Sequence, residues 1–109
     1  RWYNTAYVSL DDEAPIANEF ELHGNYPNPF NPSTNIKFST EKFSDVSVTI
    51  YSLLGQKIQT VHSGELSPGT YNIMWYGVDS DNNRVPSGVY FYEVKSDNRV
   101  LRGKMLLLK

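Results

Sequence analysis

The two histidines, His23 and His62, are where acid–base chemistry would be sought first, because imidazole changes charge near neutral pH. A hydrolytic site also needs a nucleophile that the base can activate and a group that orients the base. The chain has no Cys and no G-x-S-x-G elbow. Each His sits beside a turn signal, so both read as surface residues. The 12 acidic side chains contain no pair that spacing singles out as a glycosidase acid and nucleophile. No phosphate-cradling loop or dinucleotide fingerprint occurs. The absence of Cys removes disulfides, thiol nucleophiles and Cys-based metal sites. The chain therefore reads as non-catalytic, with no cofactor and no small-molecule substrate.

Three weaker constellations remain. Asp79-x-Asp81-x-Asn83 alternates oxygen ligands as half of a Ca²⁺ loop would. The glycine and the distant glutamate of such a loop are missing, and Asp and Asn also populate ordinary hairpin tips. The expectation is a tip and no metal. Pro29-Phe30-Asn31-Pro32 has P-x-x-P ligand spacing, but a rigid strap packed down by Tyr26 and Phe30 is the better reading. Tyr76 and Phe91 could stack on a sugar; cross-strand aromatic pairs explain them as well. A formal charge of −2 supplies no field for nucleic acid or an anionic membrane.

The elements that would carry these residues are strands. Aromatics make up 14% of the chain, with eight Tyr, a composition that suits a pleated surface. Period-two alternation is clear in Ser44–Ser52, where Val46, Val48 and Ile50 share a face. It recurs with Ile36 and Phe38, with Tyr71, Ile73 and Trp75, and with Tyr90, Tyr92 and Val94. Further strands are expected at Glu19–Leu22, Gln56–His62 and Val100–Lys109. Gly55 should lie at positive φ in a tight turn, and Ser63–Gly69 should be a loop. Ser96–Arg99 should be a hairpin turn. Pro27, Pro29 and Pro32 predict an extended segment outside any ladder. Seven short strands with regular turns predict an all-β, antiparallel β-sandwich or barrel, of which the sandwich is favoured. The expected core is Ile36, Phe38, Val46, Val48, Ile50, Ile58, Tyr71, Ile73, Trp75, Tyr90, Tyr92 and Val94. No apolar run is long enough to span a membrane as a helix. Residues 1–10, with Tyr3, Tyr7 and Val8, read as the tail of a preceding domain and residues 11–18 as a Pro-containing joint; a disordered chain end is an equal alternative. With Arg1 in place of Met, the chain reads as a fragment or a processed product.

Several segments then line up with one family. Asn25-Tyr26-Pro27-Asn28-Pro29-Phe30-Asn31-Pro32-Ser33-Thr34-x-Ile36-x-Phe38 resembles the opening signature of the type A C-terminal sorting domains of type IX (Por) secretion. Val46-x-Val48-x-Ile50-Tyr51-x-x-x-Gly55-x-x-Ile58 resembles their second motif. Gly64-x-Leu66-x-x-Gly69-x-Tyr71-x-x-x-Trp75 resembles the third, and Val85-x-Ser87-Gly88-Val89-Tyr90-x-Tyr92 the fourth. The ending Lys104-Met105-Leu106-Leu107-Leu108-Lys109 looks like the family's terminal signal. The motifs after the Asn-Pro opening also resemble the immunoglobulin-like domain of flagellar hook-capping proteins. The departures are Gly24 for Gln, Thr40-Glu41 for Leu-Pro, Ser52 for Asn or Asp, Tyr76 for Asp or Asn, and Asn82 near a usual Gly.

The resemblance implies a non-catalytic sorting signal over residues 19–109, fused behind a cargo domain. It implies export through the periplasm to the outside or the cell surface, with an outer-membrane translocon and its sorting machinery as partners. It also implies that the domain is cleaved or exchanged for a surface anchor. Lys104–Lys109 would be the element the translocon reads, with one face of the apolar run packed and the other exposed. The competing readings are a carbohydrate-binding module and a passive structural module of an extracellular enzyme.

Overall fold

The computed structural model describes residues 20–97 and 99–109. The expected strand around Tyr3, Tyr7 and Val8 and the joint at 11–18 lie outside the described residues, as does Asn98 within the Ser96–Arg99 turn. The described chain forms β1 (Glu21–Tyr26), β2 (Thr34–Thr40), β3 (Ser44–Ser52), β4 (Lys57–Leu66), β5 (Gly69–Trp75), β6 (Gly88–Ser96) and β7 (Arg99–Leu107). They build two antiparallel sheets, ordered β1-β2-β5 and β4-β3-β6-β7, and the described residues include no helix. This is the expected seven-stranded, immunoglobulin-like sandwich.

The alternation that predicted the strands also builds the core. Ile36 and Phe38 from β2, Val46, Val48 and Ile50 from β3, and Tyr90, Tyr92 and Val94 from β6 are buried. Their sheets face each other across Trp75 of β5, which is fully buried. Its indole Nε1 donates to the Val78 carbonyl at 2.9 Å, so the ring's one polar atom is satisfied. Ile58, Tyr71 and Ile73, expected in the core, are only partly buried at its margin. Phe20 and Val85 join it unannounced, together with Phe30 of the strap and Met105 and Leu107 of the terminal run.

Two segment boundaries differ from expectation. The first strand begins at Glu21 and runs to Tyr26, across a bulge between Leu22 and Gly24. Gly24 has φ 102°, a conformation that glycine adopts without strain at a bulge. Ser63–Leu66, expected as loop, continues β4 because Ser44, Asp45, Val46 and Ser47 of β3 provide partners for it. His62, expected on the surface, is half-buried opposite Val48, whereas His23 is exposed with Nε2 3.0 Å from Ser39 Oγ. Gly55 has φ 88° in the β3–β4 turn, as expected.

Gly103 stands within the terminal strand for a steric reason. It lies opposite Tyr92, and a Cβ there would collide with the phenol ring. Burial pushes the phenols of Tyr90 and Tyr92 above their ordinary value of 10.0. The folded protein thus holds these protons more tightly than the unfolded chain does. Their contribution to stability is complete below the unfolded pKa and is lost as pH rises through the folded one.

Two stability outcomes follow. Trp75→Ala should cost about 3–5 kcal/mol in urea denaturation, since it empties the centre of the core. The melting temperature should fall above pH ~10, and Tyr92→Phe should flatten that fall. A pH profile unchanged by Tyr92→Phe would assign the alkaline loss elsewhere.

The terminal strand and the strap that closes its edge

The residues singled out in the opening signature and at the chain end meet in space. β7 is an edge strand of the larger sheet, and such an edge presents unpaired backbone groups. Residues 27–33 connect β1 to β2 and run along that edge as a strap. The strap was expected outside any ladder; instead it makes one. Phe30 forms a parallel bridge with Leu107. Its N–H donates to the Leu106 carbonyl at 2.9 Å, and Leu108 N–H donates to the Phe30 carbonyl at 3.0 Å. Asn28 extends the pairing with its side chain. Its Oδ1 accepts from Leu106 N–H at 3.0 Å, and its Nδ2 reaches the Lys104 carbonyl at 3.4 Å.

The strap is held from three other sides. Phe30 is buried, with its ring centroid 5.6 Å from that of Trp75. The Pro27 carbonyl accepts from Thr34 Oγ1 at 2.8 Å, and Asn25 Nδ2 donates to the same Thr34 oxygen at 3.0 Å. The Pro32 carbonyl passes over Gly77, where a Cβ would sit 2.9 Å from the oxygen. Tyr26, expected to help pin the strap, is instead 82% exposed; Phe30 alone supplies the apolar anchor. Pro27, Asn28, Pro29, Asn31 and Pro32 are exposed.

The terminal signal splits by face. Met105 and Leu107 are buried in the core, while Lys104, Leu108 and Lys109 are exposed and Leu106 is half-buried. The alternation is thus present, although the apolar run Met105–Leu108 conceals it. On the outer face Lys104 lies opposite Phe91, which in turn pairs with Tyr51, and Leu106 lies opposite Val89. Among the described residues no ion pair involves Lys104 or Lys109. Gly88 lies opposite Leu107, and Tyr90 lies opposite Met105 and donates to the Pro86 carbonyl at 2.6 Å. Lys109 N–H donates to Ser87 Oγ at 3.1 Å, which ties down the last residue.

The weaker constellations come out plainly. Asp79 Oδ1 accepts from the backbone amides of Asp81 and Asn83, both at 2.9 Å, so this carboxylate organises the hairpin tip. No group of three or more His, Cys, Asp or Glu that could hold a metal occurs among the described residues. Tyr76 follows β5 in the smaller sheet and Phe91 lies in β6 of the larger one; Phe91 has the cross-strand partner Tyr51.

The architecture is that of an immunoglobulin-like module whose terminal strand is an edge closed by a proline-rich strap. The family model of the FlgD Ig-like domain matches residues 24–99, and the chain belongs to that family. The match takes in the strap and stops at the start of β7. No curated protein matches the chain. Among solved structures, dimeric latent PorU from Porphyromonas gingivalis superposes with a TM-score of 0.63 and 19% identity, over 77% of this chain and 9% of that one. PorZ, a surface component of the type-IX secretion system of the same organism, gives 0.53 and 21%, over 81% and 11%. The Pseudomonas fluorescens alkylpurine DNA glycosylase AlkC gives 0.54 and 12%, over 86% and 33%. At these identities the likenesses establish the fold. The chain spans about a tenth of PorU and PorZ and a third of AlkC.

Gly77→Ala should cost more stability than Gly55→Ala. Both glycines have positive φ, at 71° and 88°, so each alanine carries the left-handed penalty of about 1–2 kcal/mol. Only at Gly77 would the new methyl also strike the strap. Equal losses in urea denaturation would show that the strap yields freely.

Proposed function

We propose that this chain is the sorting domain of a longer exported protein, read by the outer-membrane translocon of a type IX secretion system. The observation that carries the proposal is the contact between the opening signature and the terminal signal. Their resemblance to sorting-domain motifs comes from segments at opposite ends of the domain, and Asn28 and Phe30 bond directly to Lys104, Leu106 and Leu108. A passive spacer also needs its sheet edge covered, but not by two segments that both resemble sorting-domain motifs. The fold shared with PorU and PorZ supports the same system, of which PorZ is a surface component. On this reading residues 19–109 are the sorting unit and residues 1–18 join it to a cargo. The domain is non-catalytic, needs no cofactor, and works outside the cytoplasm or at the cell surface. A carbohydrate-binding role is the weaker alternative, since Tyr76 lies just past the end of β5 of the smaller sheet and Phe91 in β6 of the larger one.

The recognised element is the outward face of the terminal signal: Lys104, Leu106, Leu108 and Lys109. Deleting Lys104–Lys109 outright would remove Met105 and Leu107 from the core and unfold the sandwich. The clean test replaces only the four outward residues with alanine, in residues 19–109 fused to a reporter, in a bacterium with this secretion system. Export should stop while folded reporter accumulates in the periplasm. Undiminished export of the four-alanine form would sink the proposal.

A further inference from the structure

We infer that the β7 edge is a strand-acceptor site whose resident occupant is the domain's own strap, and that a partner pairing with Lys104–Leu108 must displace Asn28 and Phe30. This deepens the proposed function, because it says how the terminal signal would be taken through its backbone. The partner it fits is an extended polypeptide segment running parallel to β7, as the Phe30–Leu107 bridge does.

The strap is built as a weak occupant. Phe30 turns both its N–H and its carbonyl to β7, so by alternation Asn28 and Pro32 hold the next pairing positions; Pro32 has no N–H to donate, and the ladder stops at a single bridge. Beyond that bridge it holds the edge through one side chain, the exposed Asn28. An ordinary strand has an N–H at every residue and could continue the pairing past Lys104 toward Arg102 and Val100. The strap's advantage is that it is tethered, and its Phe30 ring is packed on Trp75. The edge is therefore closed in the free domain yet open to a partner with better pairing.

The test separates this device from the secretion proposal, because it needs no secretion machinery. Amide exchange is followed by NMR in the wild type and in Asn28→Ala, which changes an exposed residue and leaves Phe30 in place. The Leu106 amide should exchange about tenfold faster in the variant, as loss of one hydrogen bond predicts. Met105 and Leu107, whose amides the alternation of the ladder turns toward β6, should be unchanged. Asn28→Asp keeps an acceptor for Leu106 N–H and should keep that amide slow. A fluorescent decapeptide of alternating Thr and Val then serves as the strand probe. Asn28→Ala should bind it at least tenfold more tightly than the wild type. Equal binding by both proteins, binding by neither, or a Leu106 amide indifferent to Asn28→Ala would overturn the inference. So would a variant that dimerises without taking the peptide, which would make a second copy the occupant.

Discussion

The indole of Trp75 is the contact on which both sheets and the strap depend. It comes from β5 of the smaller sheet. Its ring centroid lies 5.4 Å from Tyr90 of the larger sheet in an edge-on arrangement, and 5.6 Å from Phe30 of the strap. Aromatic pairs at such distances add about 0.5–1.5 kcal/mol each beyond the area they bury. The position of the strap follows from this contact. Once Phe30 is seated on Trp75, its backbone has little choice but to lie along the last strand. The closing of the β7 edge is in that sense a consequence of core packing. The Nε1 bond to Val78 fixes the indole orientation, and Val78 itself bridges to Arg84 across the β5–β6 loop.

The strands were legible wherever one face is buried and the other wet, because period two then shows in the residue types. Val46, Val48 and Ile50 are the clearest case, and all three are fully buried. Legibility failed in two physical circumstances. At Met105–Leu108 the outward positions are also apolar, so composition could not tell the buried Met105 and Leu107 from their outward neighbours Leu106 and Leu108. At Phe30 the flanking prolines argued against any pairing, although one residue between them keeps its N–H and uses it. Ser63–Leu66 failed differently: two glycines and polar residues suggested a loop, but β3 supplied partners that overrode local preference. The contact between strap and terminal strand joins residues 76 and 78 positions apart, a separation that no local pattern encodes.

The departures from the family pattern have local explanations. Ser52 Oγ accepts from Gln56 N–H at 3.1 Å, as an Asn or Asp side chain at that position could. Asn82 carries φ 66°, a left-handed value it tolerates better than most residues. Glu41 stands where the pattern has a proline, and here it pairs with Arg99 at 3.1 Å. Arg99 in turn stacks 5.2 Å from the ring centroid of Phe20, whose N–H lies 3.4 Å from the same Glu41 carboxylate. Both charged partners are about half exposed, so the pair itself is worth no more than about 1 kcal/mol. Its consequence is geometric. It seats Phe20 in the core at the point where the described chain enters the sandwich.

The chemistry of asparagine explains how a segment so rich in proline can close a sheet edge. A carboxamide offers one acceptor oxygen and a donor nitrogen, the same complement as a backbone peptide. Asn28 uses both toward β7, with Oδ1 to Leu106 N–H and Nδ2 to the Lys104 carbonyl. Aspartate would keep the first bond and set a charge against the second carbonyl. Glutamine would carry the same amide on a longer and more mobile stem, at a greater entropic cost. The prolines complete the solution. A strap made of ordinary residues would itself present a second free edge and pass the exposure outward. Pro27 and Pro29, at outward-facing alternate positions, withhold those donors, so the strap covers β7 without becoming an eighth strand in need of cover.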